Sequence, residues 1–131
     1  MSLRRSRHSV SDLKIHLVCV TKYRRKILTT QSLKVIENSA KEVARKMDFK
    51  ILEFNGESDQ VHFLIEYPPK LAISLMVNTI KGVSSRMYGK AGFPKPYGQN
   101  ALWTPSYFVS SVGGASLEAL KKYIENQEKP S

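Results

Sequence analysis

A chain of 131 residues, 41% hydrophobic and with one cysteine, is sized for a single domain with its own core, and an internal disulfide is excluded. With 21 Lys and Arg against 11 Asp and Glu it carries a net charge of +10, which attracts polyanions, nucleic acid first among them; a passive basic surface is the alternative. No apolar run approaches a membrane span and no charged-then-apolar leader opens the chain, so a soluble, cytoplasmic protein without a membrane partner is expected.

Residues 1–10 form a basic, serine-rich N-terminal arm, expected to be loosely ordered. Residues 12–21 alternate as a strand, with Leu13, Ile15, Leu17 and Cys19 on one face, which makes Cys19 a small core residue. A basic turn follows, Lys22-Tyr23-Arg24-Arg25-Lys26, and then Thr29 or Thr30 as a helix N-cap. Leu33, Ile36, Ala40, Val43, Ala44 and Met47 recur at helical spacing. Residues 49–54 predict a second strand, and Asn55-Gly56 a hairpin turn into a third strand over 60–67, ended by Pro68-Pro69. Ile73, Met76, Val77, Ile80, Val83 and Met87 mark a second amphipathic helix, and residues 88–101 are rich in Gly and Pro and predict a long loop. Residues 102–112 predict the last strand, with Pro105 marking an edge or a bulge. Gly113-Gly114 then breaks the chain, and Ser116 caps a final helix to about Glu128. The order βαββαβ plus a helix predicts an α+β fold, a ferredoxin-like antiparallel sheet with two helices on one face, in one domain spanning 1–131.

Two stretches carry candidate chemistry. In Asp59-Gln60-Val61-His62, alternation puts Gln60 and His62 on the strand face opposite Val61, Phe63 and Ile65. Two polar, potentially metal-binding side chains two residues apart are unusual in an apolar strand, although a lone histidine there is more often structural. On the last helix Leu117, Leu120 and Ile124 form a docking stripe, and Tyr123 and Gln127, four residues apart, stack at its edge. Partial packing of the tyrosine and solvation of the glutamine is the plainer reading of that pair. His8 and His16 are expected to be structural or superficial. The turn of Lys22, Tyr23, Arg24, Arg25 and Lys26 is the candidate nucleic-acid contact, with Tyr23 able to stack on a base, and Arg86, with Arg4, Arg5, Lys81 and Lys90, extends it.

Residues 17–28, 59–65, 102–113 (Leu-Trp through Ser-Tyr-Phe-Val-Ser-Ser-Val-Gly) and 123–127 (Tyr-Ile-Glu-Asn-Gln) stand in an order and spacing that resembles the small single-tyrosine transposases of the HUH class, the TnpA type of the smallest insertion sequences. The resemblance covers nearly the whole chain. It implies a metal-dependent transferase that cleaves and rejoins single-stranded DNA at insertion-sequence ends through a 5′-phosphotyrosine, recognises DNA hairpins and is associated with the nucleoid. It further implies a homodimer whose active sites are completed between subunits by a mobile helix, here 116–128. Matched to the family's motifs, Tyr123 is the nucleophile and Gln127 a metal ligand, and the family's two histidines fall at Gln60 and His62. Glutamine at 60 departs from that pattern.

A divalent metal, Mg²⁺ or Mn²⁺, held by His62, Gln127 and Gln60 would neutralise charge on the phosphate, and no nucleotide cofactor is needed. Amide oxygen suits Mn²⁺ less well than imidazole, so weaker binding than in a two-histidine relative is expected, with Asp59 or Glu57 as an added carboxylate. Two alternatives share the fold: a relative that binds DNA without cleaving it, and an RNA-recognition module, whose aromatic-rich strands this sequence lacks.

Overall fold

The computed structural model describes residues 3–96, 101–112 and 117–128. Two short strands, β1 (Arg4–Arg5) and β2 (Val10–Ser11), precede β3 (Lys14–Val20), α1 (Thr30–Met47), β4 (Lys50–Gly56), β5 (Gln60–Glu66), α2 (Ile73–Lys90), β6 (Phe108–Ser111) and α3 (Leu117–Asn126). The four longer strands pair antiparallel in the order β4-β5-β3-β6, the ferredoxin-like arrangement, with β6 on an edge. Alternation decides the faces. Ile15, Leu17 and Cys19 of β3 and Val61, Phe63 and Ile65 of β5 are buried in one cluster with Ile36 and Ala40 of α1 and Met76 and Ile80 of α2. Burial pushes the Cys19 thiol up to about 12, so it is an inert core residue, as its place in the alternation predicts.

Helix α1 starts where a capping residue stands: Thr29 Oγ1 accepts from the Ser32 amide at 3.1 Å, and Ser32 Oγ accepts from the Thr29 amide at 2.8 Å. No helix among the described residues is long and apolar enough to cross a membrane.

Several expectations shift. The N-terminal arm is a two-stranded ribbon, not a loose tail. Its Arg4 makes a bidentate pair with Glu66, both distances 2.7 Å, and a second pair with Asp48. The turn expected at Asn55-Gly56 lies further on: both residues belong to β4, opposite His62 and Val61, and the chain reverses over 57–59. A Cβ at Gly56 would lie 2.3 Å from Leu33 Cδ2, so any larger residue there would require the Leu33 side chain to move. Helix α2 runs three residues past Met87, and Tyr88, expected in a loop, is fully buried with its hydroxyl donating to the Pro94 carbonyl at 3.0 Å. The last strand is shorter than expected, because Pro105 breaks it into a bridge at Trp103 and the ladder of β6. The Gly113-Gly114 hinge, the Ser116 cap, and the side chains of Leu117 and Leu120 lie outside the described residues.

Candidate functional site

The sheet face opposite α1 and α2 carries the predicted residues in two cross-strand rows. In the first, Phe108 of β6, Val18 of β3, His62 of β5 and Asn55 of β4 are successive partners. In the second, Thr104 donates its amide to the Val20 carbonyl, and Val20 is the partner of Gln60. Val18 and Val20 are buried and form an apolar floor between the rows' ends, which stand about 10 Å apart, two strand spacings.

The terminal helix docks on the β6 end of both rows. The Tyr123 ring lies 5.7 Å from that of Phe108, and its hydroxyl is 3.1 Å from Ser106 Oγ. Gln127, one residue past the last turn of α3, accepts from Thr104 Oγ1 at 2.9 Å through Oε1. The match is one of spacing: four residues of helix rise about 6 Å and two of extended chain about 6.6 Å, so Tyr123 and Gln127 meet Ser106 and Thr104 in register. Burial raises the Tyr123 pKa, against the Ser106 hydrogen bond, and the nearby Cys19 raises it further. The phenol is therefore neutral and held.

At the β5 end, Gln60 is buried and its amide nitrogen donates to Glu57 at 2.5 Å. That bond fixes which end of the amide is left over. Its Oε1 is buried with no hydrogen-bond partner, an acceptor in want of a donor or a cation. His62, half-buried, has its pKa lowered chiefly by burial, with Glu57 and Asp59 opposing and His16 assisting, so a neutral imidazole with a free lone pair is favoured. Among the described residues no three His, Cys, Asp or Glu side chains group to hold a metal; a cation here needs the amide oxygens as well. The donor set of Gln60 Oε1, His62 and Gln127 suits a hard divalent ion. Asp59, a candidate ligand, is engaged elsewhere, since it is buried and pairs through Oδ2 with Arg24 Nε at 2.8 Å.

The basic turn is divided in its uses. Tyr23 and Arg24 both take left-handed backbone, φ 59° and 54°, a conformation that costs non-glycine residues of order 1 kcal/mol or more each. Hydrogen bonds hold the turn there: Thr21 Oγ1 donates to the Arg25 carbonyl at 2.7 Å, and the Thr21 amide to the Asp59 carbonyl at 2.9 Å. Arg24 faces inward, pairing also with Glu128 at 3.4 Å just beyond α3, while Arg25 and Lys26 are exposed and Lys22 and Tyr23 half-exposed. Arg86 is exposed on α2. Arg4 is committed at the Glu66 end of β5, about 20 Å from Gln60 along the strand, and is no part of this surface.

Composition and periodicity missed the segment that holds α3. Residues 102–106 are fastened to α2 by Ser84, which accepts from Trp103 Nε1 at 2.9 Å, by Ser85, which accepts from the Leu102 amide at 3.1 Å, and by Lys81. The spacing of 81, 84 and 85 on one helix face was the available signal.

A ferredoxin-like antiparallel sheet with a terminal helix packed back against it has known counterparts. A solved Deinococcus radiodurans R1 protein assigned as a transposase superposes with a TM-score of 0.84 at 26% identity, over 98% of this chain and 99% of that one. A REP-associated tyrosine transposase bound to a REP hairpin shares the fold, with a TM-score of 0.55 at 17% identity, over 95% and 69% of the two chains. The ISDra2 transposase TnpA of Deinococcus radiodurans is 29% identical over 131 residues, 97% of this chain and 92% of the relative. The transposase for insertion sequence element IS200 of Salmonella typhimurium is 30% identical over 122 residues, 92% of this chain and 80% of the relative. The family model for IS200-like transposases matches residues 9–127, and the chain belongs to that family of DNA transposases. The resemblance seen in the sequence motifs is thereby confirmed.

Proposed function

We propose that this transposase cleaves and rejoins single-stranded DNA at hairpin-bearing ends through a covalent bond to Tyr123, acting as the homodimer that the motif resemblance implies. The observation that carries it is the docking of Tyr123 and Gln127 across an apolar floor from His62 and the unpartnered Gln60 oxygen. The REP-hairpin-bound neighbour supports a hairpin as the recognised element.

The chemistry follows from those groups. Tyr123 Oη gives up its proton and bonds to the scissile phosphorus, and the P–O3′ bond breaks; the departing oxygen takes up a proton as a 3′-hydroxyl. Attack of another 3′-hydroxyl on the phosphotyrosine reverses the step and reforms a phosphodiester. A divalent ion held by Gln60, His62 and Gln127 would supply charge neutralisation at the phosphate. The protein's own contribution is placement. Ser106 holds the phenol, Thr104 orients the Gln127 amide, and Glu57 turns the Gln60 oxygen inward. The phenol is neutral and engaged by Ser106, so it must give up its proton in the step that forms the bond to phosphorus.

Incubation with labelled hairpin-bearing single-stranded DNA and Mn²⁺ or Mg²⁺ should yield a denaturation-resistant adduct that Tyr123→Phe abolishes. Binding without an adduct under either metal supports the non-cleaving relative, which the glutamine at 60 favours; preference for RNA without an adduct supports a recognition module.

A further inference from the structure

The register between β3 and its edge partner slips at Pro105. Val18 faces Phe108, whereas Val20 meets Thr104, so residues 105–107 bulge out opposite Cys19 alone. A bulge leaves carbonyls without ladder partners, and they must be satisfied elsewhere. Here one side chain takes three of them. Lys81 Nζ, from α2, donates to the carbonyls of Thr104 at 2.8 Å, Pro105 at 3.0 Å and Ser106 at 3.0 Å, which uses every proton an ammonium has. The Tyr107 ring lies 5.5 Å from the same nitrogen. The hydroxyls of Thr104 and Ser106, first and last of these three residues, are the groups that hold Gln127 and Tyr123.

We propose that Lys81 is a positioning residue for strand transfer: by closing the carbonyls of residues 104–106, where the bulge begins, it fixes the Thr104 and Ser106 hydroxyls, and through them sets Tyr123 and Gln127 over the site. The inference rests on the reading of Tyr123 as nucleophile. Burial pushes the Lys81 pKa below its ordinary value, and the three carbonyl contacts offset that cost to the charged form. A competing use, contact with a DNA phosphate, is suggested by the cavity of about 680 Å³ that Lys81 lines with Arg86 and Trp103. The saturated donors of the ammonium argue against it.

Lys81→Met keeps the aliphatic stem and removes the donors, while Ser84 and Ser85 still anchor residues 102 and 103. At saturating hairpin DNA with Mn²⁺, the rate of adduct formation should fall about tenfold or more, the scale set by sub-ångström misplacement of a reacting group. The dissociation constant and its salt dependence should stay within about twofold of the parent. Lys81→Arg should recover part of the rate. In a Thr104→Val/Ser106→Ala background, Lys81→Met should add little further loss, since groups acting through one another are not additive. Without DNA, Lys81→Met and the Thr104→Val/Ser106→Ala variant should both speed tryptic cleavage at Lys121 and Lys122, which reads the seating of α3 independently of activity. A parent-like adduct rate, a loss confined to DNA affinity and salt slope, or an unchanged tryptic rate in the hydroxyl variant would each overturn the proposal. If the parent forms no adduct, the reading of Tyr123 fails, and the tryptic comparison still decides the role of Lys81 in seating the helix. Circular dichroism confirms the fold of each variant.

Discussion

The two faces of the central sheet are built from the same alternating strands by opposite rules. On the face under α1 and α2, Leu17, Val61 and Ile65 have no exposed surface, and Phe63 meets Phe54 edge-on with ring centroids 5.2 Å apart. On the other face, one residue along each strand, stand His16, Gln60, His62 and Glu66, with Val18 and Val20 as an apolar floor. One face is saturated with partners. The other leaves the buried Gln60 amide oxygen without one, beside the half-buried His62 imidazole, and meets Tyr123 of α3 and Gln127 just beyond it. The period-two geometry of the strand thus separates a packed face from one that keeps an open acceptor, so substitutions one residue apart should have different consequences.

Neighbouring substitutions on β5 should tell the two faces apart most clearly. Phe63→Ala should lower the unfolding free energy by about 3–5 kcal/mol, the loss typical of a deleted core aromatic. His62→Ala, one residue away, should change it by no more than about 1 kcal/mol while removing the DNA adduct. Urea denaturation alongside the adduct assay measures both. Equal losses of stability at 62 and 63 would end the division of labour between the faces.

A second, smaller effect sharpens the picture of the open face. Gln60→His should raise Mn²⁺ affinity on the order of tenfold, because imidazole is the better donor to that ion. The supporting contact survives the change, since Glu57, which now accepts from the Gln60 amide, can accept from the ring N–H and orient it. Calorimetric titration of Mn²⁺ into both proteins decides it. Equal or weaker binding by the histidine variant would remove Gln60 from the ligand set.

How much of this is legible in the sequence follows from the range of the interactions involved. The strand around His62 and both long helices declare themselves by period, because burial of one face is imposed every two or every 3.6 residues. The candidate site is partly legible for the same reason: spacing places Gln60 with His62, and Tyr123 with Gln127. What joins the two pairs is the likeness to a family, since nothing local says that residue 127 returns to strand β5's side of the sheet. Long-range contacts are illegible. Tyr88 lies among glycines and prolines that signal a loop, yet its ring is wanted by the core. Asn55-Gly56 has the composition of a turn, but Leu33 presses on position 56 and the glycine is spent on that contact. Lys81 reads in sequence as one more surface cation; only the bulge at Pro105, opposite β3, shows what it is for.

The same distinction between inward and outward uses sorts the basic turn, and here the expected effect is smallest. Sequence groups Arg24 with its neighbours as a phosphate contact, but its guanidinium is paired with Asp59, which is only 4% exposed, and with Glu128. Removing it strands a buried carboxylate, a loss felt in stability, of order 1–3 kcal/mol. Lys26 is exposed at the other end of the turn. If it meets one phosphate of single-stranded DNA, Lys26→Ala should lower the slope of log K against log salt by about 0.7, whereas Arg24→Ala should leave that slope as it is. Fluorescence anisotropy with hairpin-bearing DNA between 50 and 200 mM salt, roughly the range over which such slopes are read, measures both variants. A reduced slope for Arg24→Ala would mean that the ion pair opens when DNA binds, turning an internal strut of the site into part of its DNA-facing surface.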